Sequence, residues 1–234
     1  MINKRPNFNN EKDSIHRILN TNFKKSPNSE EDEIIFGCGC FWGAEKCFWK
    51  LPGVVTTSVG YAGGNKTNPS YYEVCWGLTG HTEVVRVIWN TNEIDISDLL
   101  KMFWECHNPT QKDRQGNDIG TQYRSAIFYT NERNLRLIKS SKEEYQKELF
   151  KKSLGSIQTE IKKIDSYYYA ESYHQQYLAI DGSRQYCSAA PTKVKLGNFN
   201  GCNYKLQKKI WENFNWNIEK CVLRSDNKPL INNN

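Results

Sequence analysis

The sequence has few of the features that mark membrane, exported or repeat proteins. No stretch of its 234 residues approaches the roughly 18 consecutive apolar residues of a membrane-spanning helix, which excludes an integral membrane protein. The first 29 residues lack the continuous apolar segment of a secretory signal, so we expect no export and no disulfide framework. There is no internal repeat and no long low-complexity linker, and the composition is that of one globular domain.

The excess of positive charge is small and lies in one part of the chain. Thirty-two Lys and Arg residues against 26 Asp and Glu residues give a net charge of +6. From Ser188 onward, eight basic residues face three acidic ones, so the excess there is five. A nucleic-acid-binding face needs its basic residues clustered on the folded body. We therefore expect no nucleic-acid partner.

Composition divides the chain into three parts. Residues 1–32 are polar and end in an acidic run, which predicts a flexible, solvated extension. Residues 33–187 alternate strand-like and helix-like segments and form the expected folded domain, and residues 188–234 form a basic tail. Basic residues in the extension would suit an organelle presequence, but Glu11 and Asp13 interrupt them. We favour a cytoplasmic location over organelle targeting.

Hydrophobic periodicity in the folded domain predicts a mixed order of strands and helices. Strands are expected at 34–36, 54–61, 81–89, 122–130 and 157–164, and helices at 44–51, 132–151, 170–178 and from the capping residue Ser97 to Cys106. This order predicts an α+β fold, a two-layer ferredoxin-like sandwich with a β-α-β-β-α-β core and an extended C-terminal tail.

The basic tail carries an apolar residue at every fourth position over part of its length. The residues are Leu206, Ile210, Phe214, Ile218 and Val222. This spacing predicts an amphipathic helix. We favour packing of this helix on the body, with a partner-binding helix as the alternative.

The densest chemical signal is the segment from Gly37 to Glu45, which contains Cys38, Cys40 and Cys47. Cys40 is expected where a strand ends and a helix begins, so that first-turn N–H groups and the helix dipole favour its thiolate. Flanking glycines would leave the sulfur approachable, as a nucleophile requires. Phe41 and Trp42 follow directly and would hold a small apolar group of a substrate against the sulfur.

The spacing of cysteines and histidines does not indicate a metal site. A C-x-C pair followed six residues later by a third cysteine is not the C-x₂₋₄-C pairing of zinc sites. His81, His107 and His174 are scattered along the chain. We therefore expect no metal ligands.

Glu83 is the second candidate for chemistry. In a strand that begins near His81, it shares a face with Val85 and Val87. Burial on that apolar face would raise the pKa of the carboxyl and keep it protonated as a proton donor. Pairing with an arginine, or a position at the frayed start of the strand, is the structural alternative.

Residue chemistry alone does not single out four other polar side chains. Asp118 lies in a loop rich in turn-forming residues, and Tyr71 and Tyr123 are two of 13 tyrosines. His174 is expected to be a helix residue that bonds to its neighbours.

Seven motifs in order carry a resemblance to a known family. The chain contains Gly39-Cys40-Phe41-Trp42-Gly43-Ala44-Glu45, then Gly60-Tyr61-Ala62-Gly63-Gly64, Asn68-Pro69-Ser70-Tyr71, Gly80-His81-Thr82-Glu83, Gln115-Gly116-Asn117-Asp118, Gly120-Thr121-Gln122-Tyr123-Arg124-Ser125 and Tyr168-Tyr169-Ala170-Glu171 through His174-Gln175-Gln176-Tyr177-Leu178. This set resembles the A-type peptide methionine sulfoxide reductases over residues 33–187.

The resemblance implies a ferredoxin-like enzyme that reduces the S-epimer of methionine sulfoxide, free or within oxidised proteins. It implies Cys40 as nucleophile and Glu83 as acid. Tyr71 and Tyr123 would bond to the sulfoxide oxygen, Asp118 would line the site, and Phe41 and Trp42 would hold the substrate methyl. It further implies a sulfenic acid on Cys40, resolved as an intramolecular disulfide that thioredoxin reduces, with no bound cofactor. The sequence leaves the oligomeric state open, and we take a monomer as the default.

The chain departs from the family pattern in its cysteines. Cys187 matches the resolving cysteine, but Ser188-Ala189-Ala190-Pro191 replaces the glycine-rich segment that normally follows. Cys202 is the expected second recycling thiol and Cys221 a weaker one. Cys38 and Cys106 stand where the family usually has no cysteine, and we expect Cys38 to be buried and inert.

Two other functions remain open from the sequence. A thiol peroxidase or disulfide oxidoreductase would share the sulfenic-acid step but would turn over peroxide rather than sulfoxide. A non-catalytic binding module would use the basic tail to bind an acidic partner in a salt-sensitive way.

Overall fold

The computed structural model describes residues 14–231 of the chain. Its strands are β1 (Glu31–Cys38), β2 (Val54–Ala62), β3 (Thr82–Asn90), β4 (Arg114–Gln115), β5 (Asp118–Ile119), β6 (Ser125–Tyr129), β7 (Glu160–Lys163) and β8 (Tyr167–Tyr169). Its α-helices are α1 (Phe41–Trp49), α2 (Tyr71–Cys75), α3 (Ile96–Cys106), α4 (Leu135–Lys151), α5 (Lys208–Glu212) and α6 (Cys221–Arg224). This is a mixed α/β fold.

Six strands form one sheet in the order β7-β6-β1-β3-β2-β8, and β4 pairs with β5 in a separate two-stranded sheet. All neighbours in the large sheet are antiparallel except β6 and β7. β1 and β3 form the centre, with Phe36 opposite Val85, so the C-terminal end of β1 and the start of β3 lie at the same edge. This arrangement brings Cys40 and Glu83 to one end of the sheet.

One face of the sheet packs against helices and forms the main core. Ile34, Phe36, Val85 and Val87 belong to one buried cluster with side chains of α1, α3 and α4. The opposite face carries a smaller cluster around Ile35. The expected alternation along β3, with Val85 and Val87 on the core face, is therefore confirmed.

Local signals fix the ends of α1 and α3. The left-handed Gly39 (φ +86°) turns the chain out of β1, and α1 ends before Pro52 and Gly53. The N-cap of α3 is Asp95 rather than the expected Ser97, because the Asp95 carboxylate accepts the Ser97 N–H at 2.9 Å. Asp98 completes a capping box.

The expected helix at 170–178 is wrong. The segment forms two short 3₁₀ turns, Ser172–His174 and Tyr177–Ala179, separated by the left-handed Gln176 (φ +48°). The Gln175 side chain bonds both to the backbone of Val59 and to the carbonyl of Ala170. Such side-chain bonds to backbone compete with a regular helix.

The described part of the N-terminal extension is packed on the body rather than solvated. His16 and Phe23 are fully buried, and His16 Nε2 lies 2.9 Å from Thr57 Oγ1 on β2. Arg86 donates to the carbonyls of Phe23 and Lys25. Of its few apolar residues, Phe23 is buried and packs against Tyr169 of β8. Of the basic residues considered for a presequence, Lys4, Arg5 and Lys12 lie outside the described residues, whereas Arg17, Lys24 and Lys25 lie within them.

The segment after Cys187 packs over α3 and α1. The single helix expected over Leu206–Val222 is wrong, because α5 and α6 are short and separate. The apolar periodicity nevertheless reflects packing: Leu206, Ile210, Phe214 and Val222 are buried, whereas Ile218 is 42% exposed. Within the described residues, no helix is long and apolar enough to cross a membrane.

Candidate active site

Cys40 lies at the junction between β1 and α1, as the sequence predicts. Cys40 is the N-cap of α1 and is 8% exposed. A Cβ atom at Gly39 would stand 2.5 Å from Gln115 Cβ, so only glycine allows the turn to pack on the buried Gln115. The backbone N–H of Cys40 donates to Ser188 Oγ at 3.4 Å, which ties the junction to the residue after Cys187.

The expectation that the helix terminus favours the Cys40 thiolate is wrong for this structure. Burial raises the pKa of the Cys40 thiol well above its ordinary value, and the charge of Glu83 raises it further. The N–H of Trp42 opposes this rise. The neighbouring N–H of Phe41 is taken by Glu83 instead. Desolvation therefore outweighs the helix terminus, and the structure favours the thiol.

Glu83 is buried beside Cys40, and its environment matches the sequence-based expectation. Its Oε2 atom accepts the backbone N–H of Phe41 at 3.0 Å. Burial raises the pKa of Glu83 to about 8, with a further rise from Asp118 that the Phe41 N–H opposes. At neutral pH most of this carboxyl is protonated, so it has a proton to donate.

Two phenols and a second carboxylate complete the polar side of the site. Tyr71 and Tyr123 are half-buried, and the pKa of each phenol is raised by burial and by the charge of Glu83. Tyr123 also interacts with Asp118 and Cys40. Asp118 Oδ1 accepts the hydroxyl of Tyr186 in a short hydrogen bond. These phenols remain protonated donors at neutral pH.

The aromatic side of the site is built around His174. The ring centroid of Phe41 lies 5.1 Å, and that of Trp42 5.8 Å, from the centroid of His174. Trp42 Nε1 donates to His174 Nδ1 at 3.1 Å, and the indole stacks on Tyr177 with centroids 3.9 Å apart. Burial lowers the pKa of His174 to about 4, so the ring is neutral. The two residues that directly follow Cys40 thus form a wall of aromatic faces with the neutral ring of His174.

Two carboxylates, the half-buried Glu171 and the buried Glu45, anchor the elements that carry these groups. Glu171 accepts the backbone N–H of Tyr71 at 3.0 Å and the hydroxyl of Tyr61 at 2.7 Å. Glu45 on α1 accepts the backbone N–H and the side-chain amide of Gln176 at 2.8 and 2.7 Å. Both carboxylates join the segment around His174 to the rest of the site.

Cys187 lies against the glycine of α1. A Cβ atom at Gly43 would stand 2.4 Å from Cys187 Sγ, so the absence of a side chain there admits the thiol. Cys187 is buried and interacts electrostatically with Cys40 and with Cys221. Cys187 and Cys221 also line one cavity together. Cys202, in contrast, accepts the N–H of Phe199 at 3.4 Å in a turn that packs beside α4.

The structure thus brings together all the expected site residues except Cys202. Sequence reasoning gave no site role to three residues that contact the expected ones: Glu171, His174 and Tyr186, the partner of Asp118. A histidine between two aromatic-rich motifs was the signal available for His174. Nothing in the local sequence indicates that Glu171 reaches Tyr71, because 100 residues separate them.

Comparison with known proteins identifies relatives over most of the chain. The sequence model of the peptide methionine sulfoxide reductase family matches residues 32–205. The peptide methionine sulfoxide reductase MsrA of Pseudomonas entomophila is 56% identical over 165 residues, which are 70% of this chain and 74% of that protein. The enzyme of the same name from Vibrio vulnificus is 50% identical over 180 residues, 77% of this chain and 86% of the other.

Solved structures give the same result. Methionine sulfoxide reductase A of Corynebacterium diphtheriae superposes with a TM-score of 0.68 at 41% identity, covering 79% of this chain and 89% of that one. Reduced Mxr1 of Saccharomyces cerevisiae superposes with a TM-score of 0.63 at 34% identity, covering 70% and 92%. The chain therefore belongs to the peptide methionine sulfoxide reductase family.

Proposed function

We propose that this protein reduces the S-epimer of methionine sulfoxide, free or within oxidised proteins, with Cys40 as nucleophile and Glu83 as acid. The observation that carries the proposal is the burial of Glu83 beside Cys40, with the carboxyl pKa raised to about 8. Family membership gives the reaction class, the thiol-dependent reduction of methionine sulfoxide. The geometry supports the assignment of the individual roles.

The first step transfers oxygen from the substrate to Cys40. The Cys40 sulfur attacks the sulfoxide sulfur while Glu83 protonates the sulfoxide oxygen, which Tyr71 and Tyr123 hold by hydrogen bonds. Phe41 and Trp42 hold the substrate methyl. A sulfoxide and a thiol are converted into a thioether and a sulfenic acid, so the step consumes no outside reductant.

The second step regenerates the Cys40 thiol. The Cys187 thiol attacks the Cys40 sulfenic acid, forms a disulfide and releases water. Thioredoxin, a dithiol, reduces the disulfide by exchange, and the cycle needs no bound organic cofactor. The contact of Cys187 with Gly43 and its interaction with Cys40 support this role.

Cys221 is better placed than Cys202 to take the disulfide from Cys187. Cys187 and Cys221 line one cavity and interact, and Cys221 is half-buried near the surface. Cys202 packs in a separate turn beside α4. We therefore reverse the order expected from sequence and assign the recycling thiol to Cys221.

The remaining assignments concern architecture and setting. The strand order β6-β1-β3-β2 supports a ferredoxin-like core. We assign catalysis to residues 33–187 and recycling to residues 188–234, and we take the enzyme to act as a monomer. All cysteines among the described residues are free thiols, which suits a reducing compartment such as the cytoplasm.

The test is a burst experiment without external reductant. Pre-reduced protein receives the S- or the R-epimer of methionine sulfoxide, and the methionine released per chain is measured. We expect a stoichiometric burst with the S-epimer only. Cys40→Ser should abolish the burst, because a hydroxyl does not form the sulfenic acid.

Two results would contradict the proposal. A burst in folded Cys40→Ser above a tenth of the wild-type amplitude would remove Cys40 as nucleophile. Oxidation of the protein by peroxide, with no burst from either epimer, would favour a thiol peroxidase instead.

A further inference from the structure

Three cysteines that the proposed reaction does not use converge behind the active site. Cys38 ends β1, Cys47 lies on α1 and Cys106 ends α3, and all three are fully buried free thiols. The Cys106 thiol interacts with the thiols of both Cys38 and Cys47. The three line one cavity, with Cys187 and Cys221 at the same cavity.

A histidine joins this group. A ring nitrogen of His107 and the sulfur atoms of Cys38 and Cys106 lie within 4.8 Å of one another. His107 Nδ1 is 2.7 Å from the carbonyl oxygen of Phe103, and since a carbonyl only accepts, Nδ1 carries the proton. The lone pair is therefore on Nε2. A ligating histidine typically donates its other ring N–H to a backbone carbonyl in this way.

The present partner of His107 Nε2 is readily replaced. Nε2 is 2.7 Å from Ser125 Oγ, and Ser125 Oγ is also 2.7 Å from Thr159 Oγ1. Ser125 would keep the bond to Thr159 if Nε2 turned to another partner. Ser125 also stands opposite Cys38 in the register of β1 and β6, which places Nε2 near the Cys38 sulfur.

We propose that Cys38, Cys47, Cys106 and His107 bind one thiophilic metal ion of the Zn²⁺ or Cu⁺ class. Three thiolates and an imidazole are a tetrahedral Cys₃His set, which is a structural zinc site. With metal–ligand bonds of about 2.0–2.3 Å, the ligand atoms stand roughly 3.3–3.8 Å apart. The ligand atoms of Cys38, Cys106 and His107 already lie within 4.8 Å of one another and reach these separations by small side-chain movements. Cys47, whose thiol interacts with that of Cys106, would complete the set by a movement of its own side chain.

The surroundings suit a cation bound by thiolates. Among the described residues that line the cavity, none has a carboxylate, and Lys220 is the one charged residue. Lys46, which neighbours Cys47 in the chain, is also buried. Three thiolates with Zn²⁺ carry one net negative charge, and the positive charges of these two lysines oppose it.

The chain spacing argued against a metal because it offers no C-x₂₋₄-C pair. Ligands that come from three separate elements are brought together by the fold, so their spacing along the chain does not reveal them. The inference goes beyond the proposed function, since no step of that reaction uses Cys47, Cys106 or His107.

The test measures metal binding directly. Full-length protein, reduced with a phosphine, is titrated with Co²⁺ as the spectroscopic probe for Zn²⁺, with circular dichroism as the check of folding. We expect one equivalent to bind with thiolate-to-cobalt charge-transfer absorption and tetrahedral d–d bands, and Zn²⁺ to displace it.

In Cys106→Ser and Cys38→Ala the affinity for Co²⁺ should fall by at least about 10–100-fold, the loss that even outer-shell changes produce. Cys202→Ser, outside the cluster, is the matched control and should bind as wild type.

A second arm separates the two metals. Cu⁺ is satisfied by soft thiolates without imidazole. His107→Gln should therefore lose Co²⁺ and Zn²⁺ binding if the site is a zinc site. Retention of Cu⁺ binding in this variant, measured by competition with a Cu⁺ chelator, together with weak Co²⁺ binding by wild type, would assign the site to Cu⁺.

Three results would overturn the proposal. The first is reduced, folded wild-type protein that binds neither metal. The second is binding unchanged in both Cys106→Ser and Cys38→Ala, and the third is binding lost only in Cys187→Ser or Cys221→Ser. Because binding is measured without sulfoxide, these results are independent of the methionine burst that tests the proposed function.

Discussion

At the scale of single residues, burial decides the protonation of the reacting groups. Cys40 and Glu83 both lose solvent at the end of the sheet, and burial raises the pKa of each. For Glu83 this produces the acid that the reaction needs. For Cys40 it opposes the thiolate, so the N–H of Trp42 is the local group that favours the charged form.

We predict that Glu83→Gln slows the single-turnover release of methionine by about 10²–10⁴-fold. Glutamine has no proton to donate, but its oxygen keeps accepting the Phe41 N–H, so the fold should be retained. Rapid-quench measurement of methionine gives the rate. A Gln variant as fast as wild type would remove Glu83 from the acid role.

The pH dependence of the single-turnover release of methionine follows from the direction in which the pKa of Glu83 is shifted. The pKa of Glu83 is raised to about 8, so the protonated form is present below this pH and is lost above it. We expect the contribution of Glu83 to single turnover to fall as pH rises through about 8. The ratio of wild-type to Glu83→Gln rates should decrease over that range, and a constant ratio between pH 6 and about 9.5 would contradict the prediction.

The sequence predicted the environment of Glu83 because period-two alternation places it on an apolar face. The sequence did not predict the buried environment of Cys40, because the location of a residue at a helix terminus does not indicate how deeply it is buried. The depth of a site depends on segments distant in sequence. Here Ser188 covers the junction, 148 residues from Cys40.

At the scale of elements, the face of α1 that carries Gly43 sets the approach of Cys187. A side chain at this position would overlap the Cys187 sulfur. We predict that Gly43→Ala displaces the Cys187 segment, lowers the free energy of unfolding by about 1–3 kcal/mol and slows disulfide formation. Urea unfolding and the rate of thiol loss measure the two effects.

The matched control is Gly197→Ala, because a Cβ atom there meets no other atom within 4 Å. It should leave both quantities unchanged. If Gly43→Ala formed the disulfide at the wild-type rate, Cys187 would not react from the position that the structure gives it.

The assignment of the recycling thiol leads to a prediction about the cavity that Cys187 and Cys221 line. Transfer of the disulfide from Cys187 to Cys221 frees Cys40 for a second attack, so pre-reduced wild type should release about two methionines per chain. Cys221→Ser should release about one, since the disulfide stays on Cys40. Cys202→Ser should still release about two. A burst reduced in Cys202→Ser but not in Cys221→Ser would restore the order expected from sequence.

The elements that periodicity predicted well are those that pack by an apolar stripe or face. α3 and the central strands are of this kind. The helices expected at 170–178 and 206–222 do not form, because contacts with other parts of the chain impose a different backbone conformation. Gln175 bonds to β2, and the chain between α5 and α6 bends so that Phe214 and Trp216 both turn inward. Apolar spacing identified the buried residues of the tail without giving its conformation.

At the scale of the whole molecule, the segment after Cys187 encloses α3 and α1. Asp98 accepts the backbone N–H groups of Lys205 and Leu206. Lys50, whose side chain is 4% exposed, donates to the carbonyls of Asp226 and Lys228 and to the carboxylate of Asp226. The tail is thus held to the helix that carries Cys40.

We predict that Lys50→Met loosens this attachment. Methionine fills a similar volume but leaves the two carbonyls without their donor, at a cost of about 1–3 kcal/mol. Hydrogen exchange should accelerate at 220–231 more than in the central strands. Asp226→Asn should have a smaller effect, because the Asp226 side chain is 70% exposed. Equal protection of the segment in Lys50→Met and wild type would contradict the prediction.

The attachment of residues 225–230 to α1 also has a consequence for how the enzyme is made. Lys46, Trp49 and Lys50 all bond to carbonyls in that segment. A ribosome must therefore add 176 residues after Trp49, the end of α1, to reach the first residue of this segment, Ser225. Until then, the helix behind Cys40 is uncovered and its neighbouring thiols are open to the surrounding oxidants. We therefore expect these thiols to be oxidised more readily in a nascent chain than in the folded protein.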